Sequence, residues 1–239
     1  MANNYFRFKK FTVFQDRCAM KVCTDSCIFG ACISDLLEKG EIHAENILDI
    51  GSGTGLLSLM AAQKSKAEID AVEIDKNAFL QMKENFAGSP FSGSINAFHS
   101  DIRDFPQKKY DLIISNPPFF EGDLKSPRFA STLAKHDTGL LLKDLISEIK
   151  KRLNENGIFF LLVPFKREKE INRLFQKSGA FISGEIFLKH NQKRNPFRII
   201  YQGSFSKTEA MNTSEIVIRE GSNYTNPFIE LLKDYYLNL

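Results

Sequence analysis

The run Asn-Pro-Pro-Phe at positions 116–119 contains residue types that could do chemistry together. It follows the apolar, β-branched run Tyr110–Ser115, which predicts a buried parallel strand. The two prolines fix the backbone φ angle and remove two N–H donors, so the loop cannot continue as a helix. A strand that ends in this way presents an amide and an aromatic ring at the carboxyl edge of its sheet, where ligands bind in open α/β sheets.

A planar substrate that carries an amino group fits such a loop. Its ring can stack on Phe119, while its amine donates to the Asn116 side chain and to a neighbouring carbonyl. The exocyclic amine of adenine is a poor nucleophile because its lone pair is delocalised into the ring. Two acceptors around the amine favour the pyramidal form that attacks a methyl group, which stabilises the transition state by preorganised dipoles. The alternative is that the run is only a turn, since Asn and Pro are common in loops.

A glycine-rich loop predicts a ligand site at the same edge. It joins the buried strand Ile47–Ile50 to an apolar helix, and such a loop lets backbone N–H groups approach a ligand closely. Its glycines are Gly51, Gly53 and Gly55. Leu56 stands where a dinucleotide fingerprint needs its third glycine, which disfavours a nicotinamide or flavin cofactor. Asp49, just before the glycines, can accept from an N–H or ammonium group of a ligand.

Acidic residues follow the next two predicted strands. Glu73 lies at the end of strand Glu68–Ile74, about twenty residues after the glycine loop, where an acid can bind the ribose hydroxyls of an adenosine-containing cofactor. Asp101 follows strand Ser94–Phe98, where an acceptor could bind the adenine amino group of that cofactor. Because the carboxyl ends of parallel strands meet at one edge, these acids, the glycine loop and Asn116 together predict one site.

Strands and helices alternate along the chain, which predicts an α/β fold with a doubly wound, mostly parallel sheet. The strands Phe181–Leu188 and Phe197–Phe205 are expected to form an antiparallel pair at one edge. The 239 residues are interpreted as one domain, with an arm and helix over 1–45, a catalytic sheet core over 46–206, and a C-terminal strand and helix over 207–239. Other helices are predicted over Ser26–Leu37, Leu140–Leu153 and Pro227–Leu237.

Positive charge is concentrated in one stretch. From Lys143 to Arg198 there are 13 Lys and Arg against 6 Asp and Glu, a local charge of +7 in a chain of net charge +3. Positions 189–198 hold four basic residues and no acid, which predicts a loop between two strands that can bind phosphates. These residues are Lys189, Lys193, Arg194 and Arg198. Such a surface suits nucleic acid, although a solvated hairpin tip has the same composition.

The four cysteines, Cys18, Cys23, Cys27 and Cys32, lie close together, but their spacing matches no metal signature. Cys27 and Cys32 fall in a helical pattern and are expected to pack as small apolar residues. No metal is expected. The chain has neither an apolar run long enough for a membrane helix nor a secretory signal, so we expect a cytoplasmic protein that does not associate with membranes.

The glycine loop with Asp49, Glu73, Asp101 and the Asn-Pro-Pro-Phe run resembles the S-adenosylmethionine-dependent amino methyltransferases. That resemblance implies a Rossmann-like class I methyltransferase fold with seven strands. More narrowly, the chain resembles the bacterial tRNA1(Val) adenine-N6 methyltransferases, which modify the adenosine immediately 3′ of the anticodon. The narrower resemblance depends on three stretches, Asp16–Asp25, Asp111–Pro118 and Ile216–Leu237.

The resemblance implies S-adenosylmethionine as cofactor, with Thr24 and Asp25 near its methionine end. It also implies that Asn116 and the Pro117 carbonyl hold the target amine while Phe119 stacks on the base. The expected partner is the anticodon arm of tRNA, and a monomer is favoured.

Two departures from the family's pattern stand out. Cys23 and Ser26 occupy places where small, glycine-like residues are expected, so the local backbone could differ. Phe119 replaces the commoner Tyr, which keeps the stacking face but loses a hydroxyl.

Other functions remain open. A methyltransferase of the same fold could act on guanine N2 of rRNA or on a protein glutamine, although the roughly 45 residues before the first core strand are few for the extra helical domain of the glutamine enzymes. From a different class, the chain could be a noncatalytic RNA-binding protein with a vestigial cofactor pocket. The polar stretch Glu121–Asp137 is a candidate lid or substrate loop.

Overall fold

The computed structural model describes residues 3–118, 140–207 and 211–239. In these residues, eleven strands form a two-stranded hairpin and a nine-stranded sheet, and six α-helices accompany them. The strands are β1 (Tyr5–Arg7), β2 (Thr12–Phe14), β3 (Asn46–Ile50), β4 (Glu68–Glu73), β5 (Ile95–His99), β6 (Tyr110–Ser115), β7 (Leu153–Pro164), β8 (Phe181–Asn191), β9 (Arg198–Ser204), β10 (Asn212–Glu220) and β11 (Asn223–Tyr224). The helices are α1 (Thr24–Glu38), α2 (Leu56–Lys64), α3 (Lys76–Ala87), α4 (Leu142–Arg152), α5 (Glu168–Ser178) and α6 (Asn226–Leu232).

The large sheet has the strand order β5-β4-β3-β6-β7-β9-β8-β10-β11. Strands β3 to β7 are parallel, whereas β9 runs antiparallel to both of its neighbours, β7 and β8. The strand order reverses between β3 and β6, so the loops after these two strands leave the sheet at the point where open α/β sheets bind ligands.

The expected α/β class and the antiparallel pairing of β8 with β9 are confirmed. The strand count differs, because β10 pairs in parallel along β8 and β11 follows it, so β8 is not an edge strand. A backbone edge without a partner leaves N–H and C=O groups unpaired, and the β-branched run Ile216–Ile218 in β10 supplies partners for β8.

Local sequence sets several helix ends. The Asp75 side chain accepts from the Ala78 N–H at 2.8 Å and caps α3, and Thr225 caps α6 by accepting from the Phe228 N–H. Gly179, with φ 75°, ends α5 in the left-handed conformation that glycine adopts without strain. Helix α1, predicted to begin at Ser26, begins at Thr24 instead, and the side chain of its cap residue, Cys23, makes no capping bond.

Tertiary contacts override the predicted end of the last helix. The C-terminal helix, expected to reach Leu237, ends at Leu232. Beyond it the buried Tyr235 hydroxyl donates to the Met60 carbonyl at 3.3 Å, and Tyr236 forms a β-bridge with Phe8. These contacts require the chain to leave the helical path.

Two apolar layers cover the sheet, with α1, α2, α3 and α6 on one face and α4 and α5 on the other. Alternating residues of the central strand face opposite layers: Ile47 packs in the first and Leu48 in the second. Cys27 and Cys32 are buried in the first layer, as expected for packing, and burial raises the pKa of each thiol to about 12. Over the described ranges, no helix is long and apolar enough to cross a membrane.

Candidate active site

The glycine loop connects β3 to α2 in left-handed backbone conformations. Its three glycines have φ values of 71°, 55° and 80°, which L side chains rarely adopt. A Cβ added at Gly51 or Gly53 would meet no atom within 4 Å, so these two glycines leave open space in front of the loop. A Cβ at Gly55 would lie 2.3 Å from the Phe86 ring, so this glycine is required by packing. The loop is therefore open to a ligand on one side and packed on the other.

Asp49 lies buried beneath this loop. Its Oδ2 accepts from the Ser58 hydroxyl at 2.7 Å, whereas its Oδ1 is buried with no hydrogen-bond partner in the described residues. Burial raises the pKa of Asp49 to about 7, although the Ser58 hydrogen bond acts in the opposite direction. An unmatched buried acceptor costs free energy, so this carboxyl group favours a ligand that supplies a donor or a positive charge.

Glu73 is bonded to the same loop from the end of β4. Its Oε2 accepts from the Gly53 N–H and its Oε1 from the Asp75 N–H, both at 2.8 Å. Burial raises the pKa of Glu73 despite these bonds. Each carboxylate oxygen has a second lone pair, so both oxygens can accept a further hydrogen bond from a ligand.

Asp101 lies in the turn after β5, and the Ser100 N–H donates to the Glu73 carbonyl at 3.1 Å. The Asp101 Oδ1 accepts from the backbone N–H and the Nε of Arg103, at 2.8 and 2.9 Å. These bonds hold the pKa of Asp101 below its ordinary value. Asp101 therefore directly follows a residue that is bonded to Glu73, and Arg103 orients its carboxylate; its binding of a ligand stays a prediction.

Arg152, a residue of α4, holds the turn after β5 in place. This role was not predicted from the sequence. Arg152 is buried, and its Nη2 donates to the carbonyls of Ile102 and Phe105 at 2.7 and 2.6 Å. It also pairs with the buried Glu148 one turn earlier in α4. The visible signal was an Arg and a Glu four residues apart among the apolar positions of a helix.

Asn116 follows β6 on the other side of the strand-order reversal. The Ser115 hydroxyl donates to the Ile50 carbonyl at 2.7 Å and ties the end of β6 to that of β3. The Asn116 Nδ2 donates to the Ser26 hydroxyl at 3.1 Å. This bond engages the amide nitrogen, and the described residues give the amide oxygen, Oδ1, no donor. Ser26 therefore holds Asn116 with an acceptor available, a role missed at the sequence level.

The amino end of α1 brings Thr24 and Asp25 to the same place. Asp25 is buried; its Oδ1 accepts from the Ser26 N–H at 3.0 Å and its Oδ2 from Arg198 Nε at 2.8 Å. Thr24 is exposed at the first position of the helix. The Cys23 sulfur lies 3.0 Å from the Ser26 hydroxyl. Cys23 and Ser26, the two residues that depart from the family's glycine-like pattern, are therefore both part of this hydrogen-bond network.

The four basic residues expected to bind RNA lie in different surroundings. Lys193 and Arg194 are exposed in the turn between β8 and β9. Lys189 lies on β8, where its ammonium pairs with Glu215 at 2.5 Å, and Arg198 lies at the start of β9 in the ion pair with Asp25. The expected basic loop is therefore shorter than 189–198, and phosphate binding stays a prediction.

Pro117 is half-buried next to Asn116. Phe119 and the stretch Glu121–Asp137 lie outside the described residues, so stacking by Phe119 and the lid stay predictions.

Comparison with known proteins assigns the fold and the family. The methyltransferase small domain model matches residues 31–188. Two tRNA1(Val) (adenine(37)-N6)-methyltransferases, from Dyadobacter fermentans and Trichodesmium erythraeum, are each 40% identical, with 98% and 99% of both chains covered, respectively. A solved structure of a predicted O-methyltransferase from Agrobacterium tumefaciens has a TM-score of 0.64 at 16% identity, over 84% of this chain and 95% of that one. This chain belongs to the methyltransferase small domain family and, within it, to the family of the tRNA1(Val) (adenine(37)-N6)-methyltransferases.

Proposed function

We propose that this protein transfers a methyl group from S-adenosylmethionine to the N6 amino group of an adenosine in the anticodon loop of tRNA(Val). The observation that carries the proposal is the Asn116 amide, held by Ser26 with its oxygen available at the edge that also carries the glycine loop. Full-length similarity to relatives that bear this activity in their names supports the choice of substrate.

The residues at this edge fit S-adenosylmethionine. The unmatched Asp49 Oδ1 and the space in front of Gly51 and Gly53 suit a cationic ligand that approaches the loop backbone. Glu73 would accept from the ribose hydroxyls and Asp101 from the adenine amine, while Thr24 and Asp25 would lie near the methionine end. When bound, this cofactor supplies an electrophilic methyl group on a sulfonium.

Asn116 and Pro117 would hold the target amine. The Asn116 Oδ1 and the Pro117 carbonyl each accept one amine hydrogen, which favours the pyramidal nitrogen with a localised lone pair. Ser26 keeps the amide from rotating, so the acceptor is in place before the substrate arrives. The methylated nitrogen releases its proton readily, so no strong base is needed, and Phe119 would stack on the base.

The test is nucleoside analysis of RNA methylated by the purified protein. With unmodified tRNA(Val) transcript and S-adenosylmethionine, N6-methyladenosine should appear at the position 3′ of the anticodon. The tRNA of cells that lack the protein should lose this nucleoside. N2-methylguanosine in rRNA, or methylated protein glutamine, would instead support one of the related enzymes. Cofactor binding without any methylated product would support the noncatalytic RNA-binding alternative.

A further inference from the structure

A cleft of about 470 Å³ opens at the same sheet edge, and the hairpin residues that line it, Arg219 and Tyr224, have no role in the steps proposed above. Three elements line it: the amino end of α1, the turn between β8 and β9, and the hairpin formed by β10 and β11. Because β8 is parallel to β10 and antiparallel to β9, which in turn is antiparallel to β7, both turns lie at the carboxyl edge. Asp25 lines the cleft, and the next residue, Ser26, binds Asn116, so the cleft adjoins the proposed methylation site.

One wall carries a positioned guanidinium group. Arg219 and Tyr224 are paired across the hairpin, and the Arg219 Cζ lies 4.1 Å from the Tyr224 ring centroid. The Arg219 Nη1 donates to the Ser222 carbonyl at 2.6 Å, while the Tyr224 ring stacks on the buried Phe228 at 4.6 Å. Arg219 is exposed. A cation–π contact and a hydrogen bond hold its planar guanidinium group in place. A ligand that stacks on this group therefore costs little additional side-chain conformational entropy.

A second flat surface lines the cleft in the turn between β8 and β9. His190 stacks on Phe197 with ring centroids 4.0 Å apart and planes inclined by 8°. His190 is exposed, and both rings line the cleft. The exposed Lys193 and Arg194 follow in the same turn and place positive charge beside it.

This combination is the chemistry that recognises unpaired nucleotides. Single-stranded bases stack on aromatic rings and on guanidinium planes, and the adjoining phosphates attract Lys and Arg. We propose that the cleft binds the base of one unpaired nucleotide that neighbours the methylated adenosine, stacked on Arg219. The inference rests on the proposed function, because the loop that delivers the adenosine to Asn116 also supplies the neighbouring base.

A double-mutant cycle on RNA affinity tests the stacking directly. Anticodon-arm RNAs, each with one abasic nucleotide in the loop, are titrated against the wild-type protein and Arg219→Ala, with Arg173→Ala as control. Arg173 is an exposed arginine of α5 that does not line the cleft, so it removes the same charge elsewhere. Loss of a stacked base weakens binding by roughly tenfold. At one loop position, the abasic substitution should weaken binding by this factor for the wild type and for Arg173→Ala. For Arg219→Ala the same substitution should weaken binding by less than about twofold, because the base no longer has the Arg219 guanidinium to stack on.

Arg219→Lys separates stacking from charge. It keeps the positive charge but loses the plane, so it should resemble Arg219→Ala at the sensitive position. If Arg219→Lys behaves as wild type, or if the losses from abasic substitution are the same for all proteins at every position, the base site is wrong. Methylation by the wild type is measured separately on the unmodified arm. If the protein binds RNA but forms no methylated product, the proposed activity is wrong, and the double-mutant cycle still tests the base site. If the protein does not bind RNA, the proposed activity and the base site are both wrong.

Discussion

Acidic residues lie at both edges of the large sheet, and the two groups differ in how far the protein satisfies them. At the amino edge, Asp70 accepts from the Tyr110 hydroxyl at 2.8 Å, from Lys108 at 3.1 Å and from Asn96 at 3.0 Å. At the carboxyl edge, Asp49 keeps one buried oxygen without a partner in the described residues. Both edges combine acids with amides, so composition alone does not distinguish a structural cluster from a site.

Asp111 and Asp49 show the difference within neighbouring strands. Burial would raise the pKa of Asp111, but hydrogen bonds from the Asn46 and Glu45 N–H groups and the Asn154 amide lower it below its ordinary value. Asp49 is more deeply buried than Asp111, and this burial raises its pKa to about 7. A carboxyl group that the fold leaves short of donors identifies the edge built for a ligand.

The largest effect should come from the two asparagines at opposite edges. Asn116→Ala removes an acceptor aimed at the amine and should lower kcat by about 10²–10³-fold with little change in tRNA affinity. Asn154→Ala removes a donor to Asp111 at the amino edge and should lower the melting temperature while leaving kcat within about twofold at a permissive temperature. Methylation kinetics and thermal melts measure both. Equal loss of kcat in the two variants would contradict the distinction between the edges.

The basic turn at the carboxyl edge should govern RNA affinity. Neutralising Lys193 and Arg194 together should weaken tRNA binding by about tenfold near 0.15 M salt and reduce the slope of log affinity against log salt by up to about two. The matched control neutralises Lys66 and Lys83, two exposed lysines outside this turn. Filter binding over a salt series measures the slope. An unchanged slope in the first variant would move the RNA site elsewhere.

Ser26 should act as a positioning residue for Asn116. Ser26→Ala leaves the amide free to rotate and should lower kcat by about tenfold without changing the KM for tRNA. Ser26→Thr keeps the hydroxyl and should restore most of the rate. Ser34→Ala is the control, because Ser34 is buried in the same helix and donates to the Gly30 carbonyl instead of holding Asn116. A purely structural role would give both alanine variants the same loss of stability and no selective loss of kcat.

The smallest effect distinguishes the two aspartates by pH. The folded protein holds a proton on Asp49 up to about pH 7, while the unfolded chain releases it near pH 3.8, so this group makes folding less favourable as pH rises between these values. Relative to wild type, Asp49→Asn should therefore gain roughly 5 °C in melting temperature between pH 4.5 and pH 8 without cofactor.

Asp111→Asn should show the opposite sign. Its folded pKa is lowered, so the wild-type carboxylate stabilises the fold above the unfolded pKa and the variant loses this contribution as pH rises. Melts of the three proteins across pH measure both slopes. Parallel curves for the two variants would show that the aspartates do not differ as described.

Much of the site follows from order along the chain. Glycines between a strand and a helix, an acid after the next strand and Asn116 after a buried strand meet because parallel strands share a carboxyl edge. Local patterns also placed most strands, since alternation and apolar runs report burial. They failed where distant contacts decided, as at Leu232, where packing of Tyr235 and Tyr236 ends the last helix.

The sequence by itself determined that these groups share one edge, because strand direction and connection follow from local pattern. Only the tertiary structure decided how they are held. Ser26 and Asn116 are 90 residues apart, and Asp25 and Arg198 are 173 apart, yet each pair is joined by a hydrogen bond of about 3 Å. Such a bond depends on where packing places two side chains from distant segments, and no periodicity, spacing or charge count contains that distance.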